Sequence, residues 1–167
     1  MDYRKRREAL IRSLDVDAFV VIYLEGLAAD RASMTYLTGY AGHGVLLVSR
    51  EEMLALATTT NIDQARADAP DLEWQTLDWN YVKSIAEVLA TRGFRRVGMA
   101  AKRVSLAMAR DLDALIDAEI IALEDPVGRL REIKDEGEIK RVRKAARVTD
   151  EALRKVTEEL RVGMSER

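Results

Sequence analysis

"MTYLTGYAGHGVLLVSREE", residues 34–52, carries the sole histidine of the chain, His43, together with two tyrosines and three glycines. Its first third reads as a helix end that breaks at Gly39, a residue free to adopt the backbone that ends helices. Its second half, "GVLLVS", is an apolar run of strand length. After the polar "REE" comes a second such run, "MLALATT", so the two read as a hairpin. The stretch is thus a turn feeding a strand, and the surrounding chain decides what sheet that strand joins.

Upstream, residues 3–14 read as a helix with Leu10, Ile11 and Leu14 on one side and the basic residues elsewhere. "DAFVVIYL" (17–24) is a nearly unbroken β-branched and aromatic run, the pattern of a strand covered on both faces. "EGLAADRAS" (25–33) reads as polar and irregular. Downstream, "IDQARADA" (62–69) suggests a short helix ended by Pro70. "LEWQTLD" (72–78) places Leu72, Trp74 and Thr76 on one face of a half-buried strand. "NYVKSIAEVLATRG" (80–93) has Val82, Ile85, Ala86 and Leu89 at helical spacing, with Gly93 as its C-cap. "RRVGMA" (95–100) is a short strand, "SLAMARDLDALID" (105–117) a helix capped by Ser105, and "AEIIALE" (118–124) another strand. Helices and strands alternate around one hairpin. That order predicts an α/β fold, a three-layer arrangement of a mixed β-sheet flanked by helices.

The pattern changes after Glu124, and no strand signal follows. Asp125 can cap a short helix with Pro126 at its first position. Asp135 and Glu138 form the two ends of a capping box. From there Ile139, Val142, Ala146, Thr149, Leu153, Val156 and Leu160 repeat at spacings of 3 and 4. This is a narrow apolar seam on one helix of about seven turns, closed by Gly163. Such a stripe needs a partner surface. Ser165 followed by Glu166 reads as the start of a further helix. The expected division is a domain over residues 1–124 and linker helices over 125–167 that lead to a further domain absent from the chain.

Bulk properties narrow the function classes. The 167 residues carry a net charge of -2, with 48% hydrophobic and 34% charged side chains. No basic excess points to nucleic acid. Without cysteine there is no disulfide framework and no thiolate zinc site, which fits a cytoplasmic protein. "MDYRKRREAL" lacks the apolar core of a signal peptide, and no run approaches the roughly 20 apolar residues of a membrane helix.

Two groups of residues now become familiar. "YLTGYAG" (36–42) followed by "LLVSREE" (46–52) resembles the amino-terminal domain of the creatinase, prolidase and aminopeptidase P family. "LREIKDEGEIKRVRKAARVTDEAL" (130–153) resembles that family's connecting stretch, and "RVGMSER" (161–167) the start of its catalytic "pita-bread" domain. The resemblance covers essentially the whole chain. It implies a non-catalytic domain that helps form a homodimer, associates with the parent's catalytic domain and shapes the entrance to the partner subunit's active site. It implies no cofactor in this chain and two divalent metal ions (Mn, Co or Zn) in the catalytic domain. It implies a parent that is a metal-dependent Xaa-Pro dipeptidase or aminopeptidase. Two departures exist: Ser33 stands where family members often have Asn, and "TTNI" (59–62) replaces a "DGRY"-like turn.

The substrate-rim candidates are Tyr36, Thr38, Gly39, Tyr40 and His43. Each has a plainer reading. The first four form a helix end, with both tyrosines filling the gap between helix and sheet. His43 is a turn or strand-start residue, or a rim residue reaching a neighbouring subunit; as a general base it would need a reacting group within hydrogen-bond reach. The acidic pairs Glu51 and Glu52, Asp15 and Asp17, and Glu124 and Asp125 fit solvated turns or caps. Lys140, Arg141, Arg143, Lys144 and Arg147 fit a solvated helix face. Gly42 and Gly44 lack the Lys and Ser/Thr of a phosphate loop. Trp74 and Trp79 read as core or interface aromatics. No catalytic or metal-binding residue is assigned. The competing reading is a stand-alone protein-binding module of the same family. An unrelated hydrolase or nucleotide-binding domain lacks its nucleophile elbow, dinucleotide fingerprint or P-loop.

Overall fold

The centre of the sheet is β1 (Ala18–Leu24), in a computed structural model that describes residues 2–24, 26 and 28–165. Every residue of β1 except Tyr23 is buried. The reason is alternation across two covered faces. Phe19 and Val21 join one apolar cluster, while Ala18, Val20, Ile22 and Leu24 join the other.

β1 pairs antiparallel with β3 (Gly44–Ser49), which turns back into β4 (Met53–Thr58). β5 (Glu73–Leu77) runs parallel to β4 and forms one edge. On its other side, Ala18 to Val20 of β1 pair in parallel with β6 (Arg96–Ala100), and β6 pairs with the outer strand β7 (Glu119–Leu123). The order β5-β4-β3-β1-β6-β7, with the two-residue β2 (Ala28–Ala29) on the far end of β1, gives a seven-stranded mixed sheet.

One face is covered by α1 (Tyr3–Arg12), α2 (Arg31–Thr38), α3 (Ile62–Asp68) and α6 (Pro126–Glu132), through Leu10, Ile11, Met34, Leu37, Ile62 and Val127. The other is covered by α4 (Tyr81–Ala90) and α5 (Leu106–Asp113), through Ile85, Leu89, Met108 and Leu112. These are the three layers that the alternation of elements predicts, and hydrophobic burial on both faces holds them together.

Start signals read from sequence are realised. Ser105 accepts from the Met108 amide and Asp125 from the Gly128 amide. Asp135 and Glu138 close a complete capping box on α7 (Glu136–Glu159). Several readings are corrected. Part of "EGLAADRAS" is ordered: Ala28–Ala29 is a strand and Asp30 caps α2 through the Ser33 amide. The expectation for Glu25 and Leu27 lies outside the described residues. Thr76 is exposed, and Leu77 is buried on the opposite face. α5 ends at Asp113, short of Asp117. α7 ends before Gly163: Leu160 leaves helical geometry, and Gly163 sits at φ 91° in a later turn. Trp79 is 85% exposed, so it is not a core residue. The expected helix at Ser165–Glu166 involves Glu166, outside the described residues.

By contacts the chain divides into two units, Asp2–Arg131 and Glu132–Arg167. The first holds the sheet and both clusters. The second is dominated by α7, in which no residue is buried. Its seam residues Val142, Leu153, Val156 and Leu160 are each more than half exposed. Among the described residues, no helix is long and apolar enough to cross a membrane.

Candidate functional site

The corner between α2 and β3 gathers four of the five residues singled out in the sequence, Thr38, Gly39, Tyr40 and His43. α2 stops because Gly39 adopts φ 83°, the left-handed conformation that costs a side chain most. Thr38, fully buried, secures the exit twice. Its hydroxyl donates to the Met34 carbonyl at 2.7 Å, and its oxygen accepts the Tyr40 amide at 2.9 Å. The chain then swings Tyr40 inward.

Tyr40 is 2% exposed. Its ring meets Trp74 edge-on, with centroids 5.2 Å apart at 79°, an arrangement favoured by the ring quadrupoles. Trp74 is fixed in turn by its indole N–H, which donates to Ala69 O at 2.9 Å. The Tyr40 hydroxyl donates to the main-chain oxygen of His43 at 3.1 Å. Gly42 lets the ring lie against the turn; a Cβ there would collide with the Tyr40 ring. Burial, with Asp68 nearby, holds the Tyr40 phenol above its ordinary pKa.

His43 is half-buried, immediately before β3. Its ring lies 4.7 Å from that of Tyr23, tilted by 53°. Among the described residues the imidazole has no hydrogen bond to a carboxylate or hydroxyl. The corner therefore presents one polar ring on the hydrogen-bonded frame of Thr38 and Tyr40. Tyr36 points another way: its hydroxyl donates to Leu130 O at 3.3 Å, and the Arg6 guanidinium lies 4.0 Å above its ring. The structure thus brings Thr38, Gly39, Tyr40 and His43 together and sends Tyr36 to the far side of α2.

Two residues escaped the sequence reading. Arg6 and Arg7 fall among the basic residues read as lying away from the apolar side of the first helix, yet Arg7 is 1% exposed. Arg6 Nη1 donates to Tyr36 O at 3.1 Å, and Arg7 Nη1 to Leu37 O at 2.8 Å. Cations at a helix C-terminus satisfy its orphan carbonyls and oppose its dipole. Arg7 also pairs with Asp71, which follows α3 and Pro70. The available signal was spacing: Arg7 precedes Leu10 by three and Ile11 by four, the buried positions of α1.

The acidic pairs have structural partners. Asp17 accepts the Arg95 and Arg96 amides at 2.8 and 2.9 Å, which holds its pKa below the usual value. Glu52 pairs with Arg92, and Glu124 with Lys102 at 3.1 Å. A cleft of about 500 Å³ between α1 and the β3–β4 turn contains Arg7, Arg12, Glu8 and Glu52, with both charges interspersed. Among the described residues no three His, Asp or Glu side chains converge on a metal-sized site. The donor set therefore does not fit the two divalent ions that the resemblance assigns to a catalytic domain.

A mixed sheet between two helical layers, with a glycine-broken corner before the hairpin, defines a three-layer α/β domain. Residues 4–133 match the Creatinase/Prolidase N-terminal domain, and the chain belongs to that family. It is 25% identical to the uncharacterized peptidase YqhT of Bacillus subtilis over 142 residues, 84% of this chain and 40% of that protein. It is similar to the X-Pro aminopeptidase from Thermotoga maritima, with a TM-score of 0.84 and 25% identity over 95% of this chain and 45% of that one. It shares the fold of the N-terminal domain of the cytoplasmic peptidase PepQ from Mycobacterium tuberculosis, with a TM-score of 0.65 and 22% identity over 77% of this chain and 97% of that one. The chain thus spans less than half the length of the two longer relatives.

Proposed function

We propose that this chain serves as the non-catalytic N-terminal domain of a cytoplasmic, metal-dependent Xaa-Pro dipeptidase or aminopeptidase, in which it mediates homodimer formation and frames the active site. The observation that supports this most is its likeness, along 95% of its length, to 45% of an X-Pro aminopeptidase. In this reading the peptide is cleaved, and the two divalent ions are held, by residues of a catalytic domain. The N-terminal domain supplies the rim. His43 is the rim residue, because its ring is half-exposed while Thr38 and Tyr40 are spent on the corner itself. A single imidazole there can accept or donate one hydrogen bond to a bound peptide. The exposed seam of α7 and the sheet edge are the association surfaces.

The test uses the chain and its longer parent together. The chain alone, given Mn²⁺, Co²⁺ or Zn²⁺, should not hydrolyse Xaa-Pro dipeptides above the metal blank. In the parent, His43→Ala should raise KM for Xaa-Pro dipeptides by about tenfold, the scale of one lost polar contact, with kcat little changed. Turnover by the chain alone would overturn the non-catalytic assignment, and an unchanged KM would remove His43 from the rim. A sedimentation experiment that finds only monomer at high concentration would remove the dimer.

The second reading, a stand-alone protein-binding module, draws support from the uncovered apolar seam of α7. Intact mass of the protein captured from its native cells separates the two. A mass near 18.8 kDa favours the module; a mass more than twice as large favours the enzyme domain.

A further inference from the structure

We propose that Arg7 and Asp71 are the positioning pair of the His43 corner, acting through the end of α2. Arg7 is the one fully buried arginine among the described residues. Its fork is used in three directions: Nη1 to Leu37 O at 2.8 Å, Nη2 to the Asp71 carboxylate, and Nε towards the Met53 sulfur at 3.2 Å. Leu37 lies two residues before Gly39, so the fork grips the last turn of the helix from which the corner springs. Asp71 belongs to the segment that also carries Ala69 and Trp74; Trp74 meets the Tyr40 ring and donates to Ala69 O.

The contacts form a closed ring. Arg7 holds Leu37; Thr38 holds Tyr40; Tyr40 packs on Trp74 and holds His43; Trp74 holds Ala69; Asp71, two residues on, holds Arg7. A buried guanidinium can satisfy carbonyl and carboxylate at once because its donors are coplanar and fixed. A lysine lacks the planar fork whose separate nitrogens reach Leu37 O and Asp71 here. Arg7 touches neither His43 nor the open side of the corner, so its influence is on where the imidazole sits. The geometry stands by itself; only its meaning for peptide binding rests on the rim reading above.

The chain holds a single histidine, so the His43 ring gives an isolated pair of carbon–proton NMR signals, displaced by the Tyr23 ring 4.7 Å away. Asp71→Asn and Arg7→Lys should move these signals towards free-histidine values. Both should speed amide exchange at residues 40–44 by about tenfold or more, as local opening becomes easier. Leu112→Ala, a cavity in the other apolar cluster, should lower global stability without moving either readout. Should Arg7→Lys fail to fold, Asp71→Asn carries the test, since Asp71 is partly exposed. If Asp71→Asn folds with His43 signals and corner exchange unchanged, the proposal is overturned. It is also overturned if Leu112→Ala shifts them equally, because the pair would then only add bulk stability. Neither result depends on peptide hydrolysis, so failure here is distinguishable from failure of the rim assignment, which the His43→Ala KM reads.

Discussion

The hydroxyl of Tyr40 closes the turn onto the main-chain oxygen of His43, three residues later, at 3.1 Å. A buried core ring and a half-exposed polar ring are thereby tied to one backbone segment, and each can be perturbed separately.

Tyr40→Phe removes that bond and leaves the packing against Trp74. The expected loss is about 1 kcal/mol, the typical net worth of one hydrogen bond. The alkaline limb should also change. Burial raises the phenol pKa in the folded state above 10.0, so the unfolded chain loses its proton first. This contribution is complete below pH 10, and it falls as pH rises through the folded value. Urea denaturation at pH 8 and above pH 10 should show a steeper alkaline loss for the native chain than for Tyr40→Phe.

Gly39→Ala should destabilise more than most single substitutions. A Cβ at Gly39 would lie 2.9 Å from the Tyr3 ring, and φ 83° strains any L side chain. A cost of about 2 kcal/mol follows from left-handed strain and crowding together. Thermal unfolding measures it. Replacing Gly93, where φ is 65° and nothing lies nearby, should cost less.

Asp17→Ala should weaken the junction between the start of β1 and the start of β6, where the carboxylate accepts two amides. The folded pKa lies below 3.8. The stabilisation is therefore present above 3.8 and disappears as pH falls through the folded value. Melting curves of the two proteins should differ at pH 7 and converge in acid.

Asp135→Ala removes the half of the capping box on α7 in which the Asp135 carboxylate accepts the Glu138 amide, and leaves the main-chain amide of residue 135 to donate to Glu138. The expected cost to that helix is about 1 kcal/mol. Because no residue of α7 is buried, the damage should stay local: faster amide exchange in its first turn, with the exchange of β1 unaltered.

Most of the layer order was legible because it rests on periodicity. β1, β3 and β4 carry unbroken apolar runs, while α4 and α7 carry helical spacing and capping residues, and these signals are local. The helix break at Gly39 was legible for the same reason. What escaped was decided at a distance. Thr76 shares a face with Trp74, but the cover over that edge strand does not reach it, and no local pattern records where a neighbouring helix stops. Arg7 looks like its solvated neighbours until Leu37 and Asp71 are brought to it. Trp79 has the composition of a core residue and a place outside the core. For the corner, sequence found the residues, and only the fold showed that Tyr36 turns away from them.

The neighbours of β1 arrive at very different times. On one side it meets β3, close behind it in the chain; on the other Ala18 must wait for Val97. As the chain leaves the ribosome, β1, β3, β4 and β5 can assemble by short-range pairing while the remaining edge of β1 is still open. Such an edge is a template for unwanted strand addition. β2 covers only Tyr23 and Leu24 of it. Slowing synthesis before β6 should therefore raise aggregation of the nascent chain.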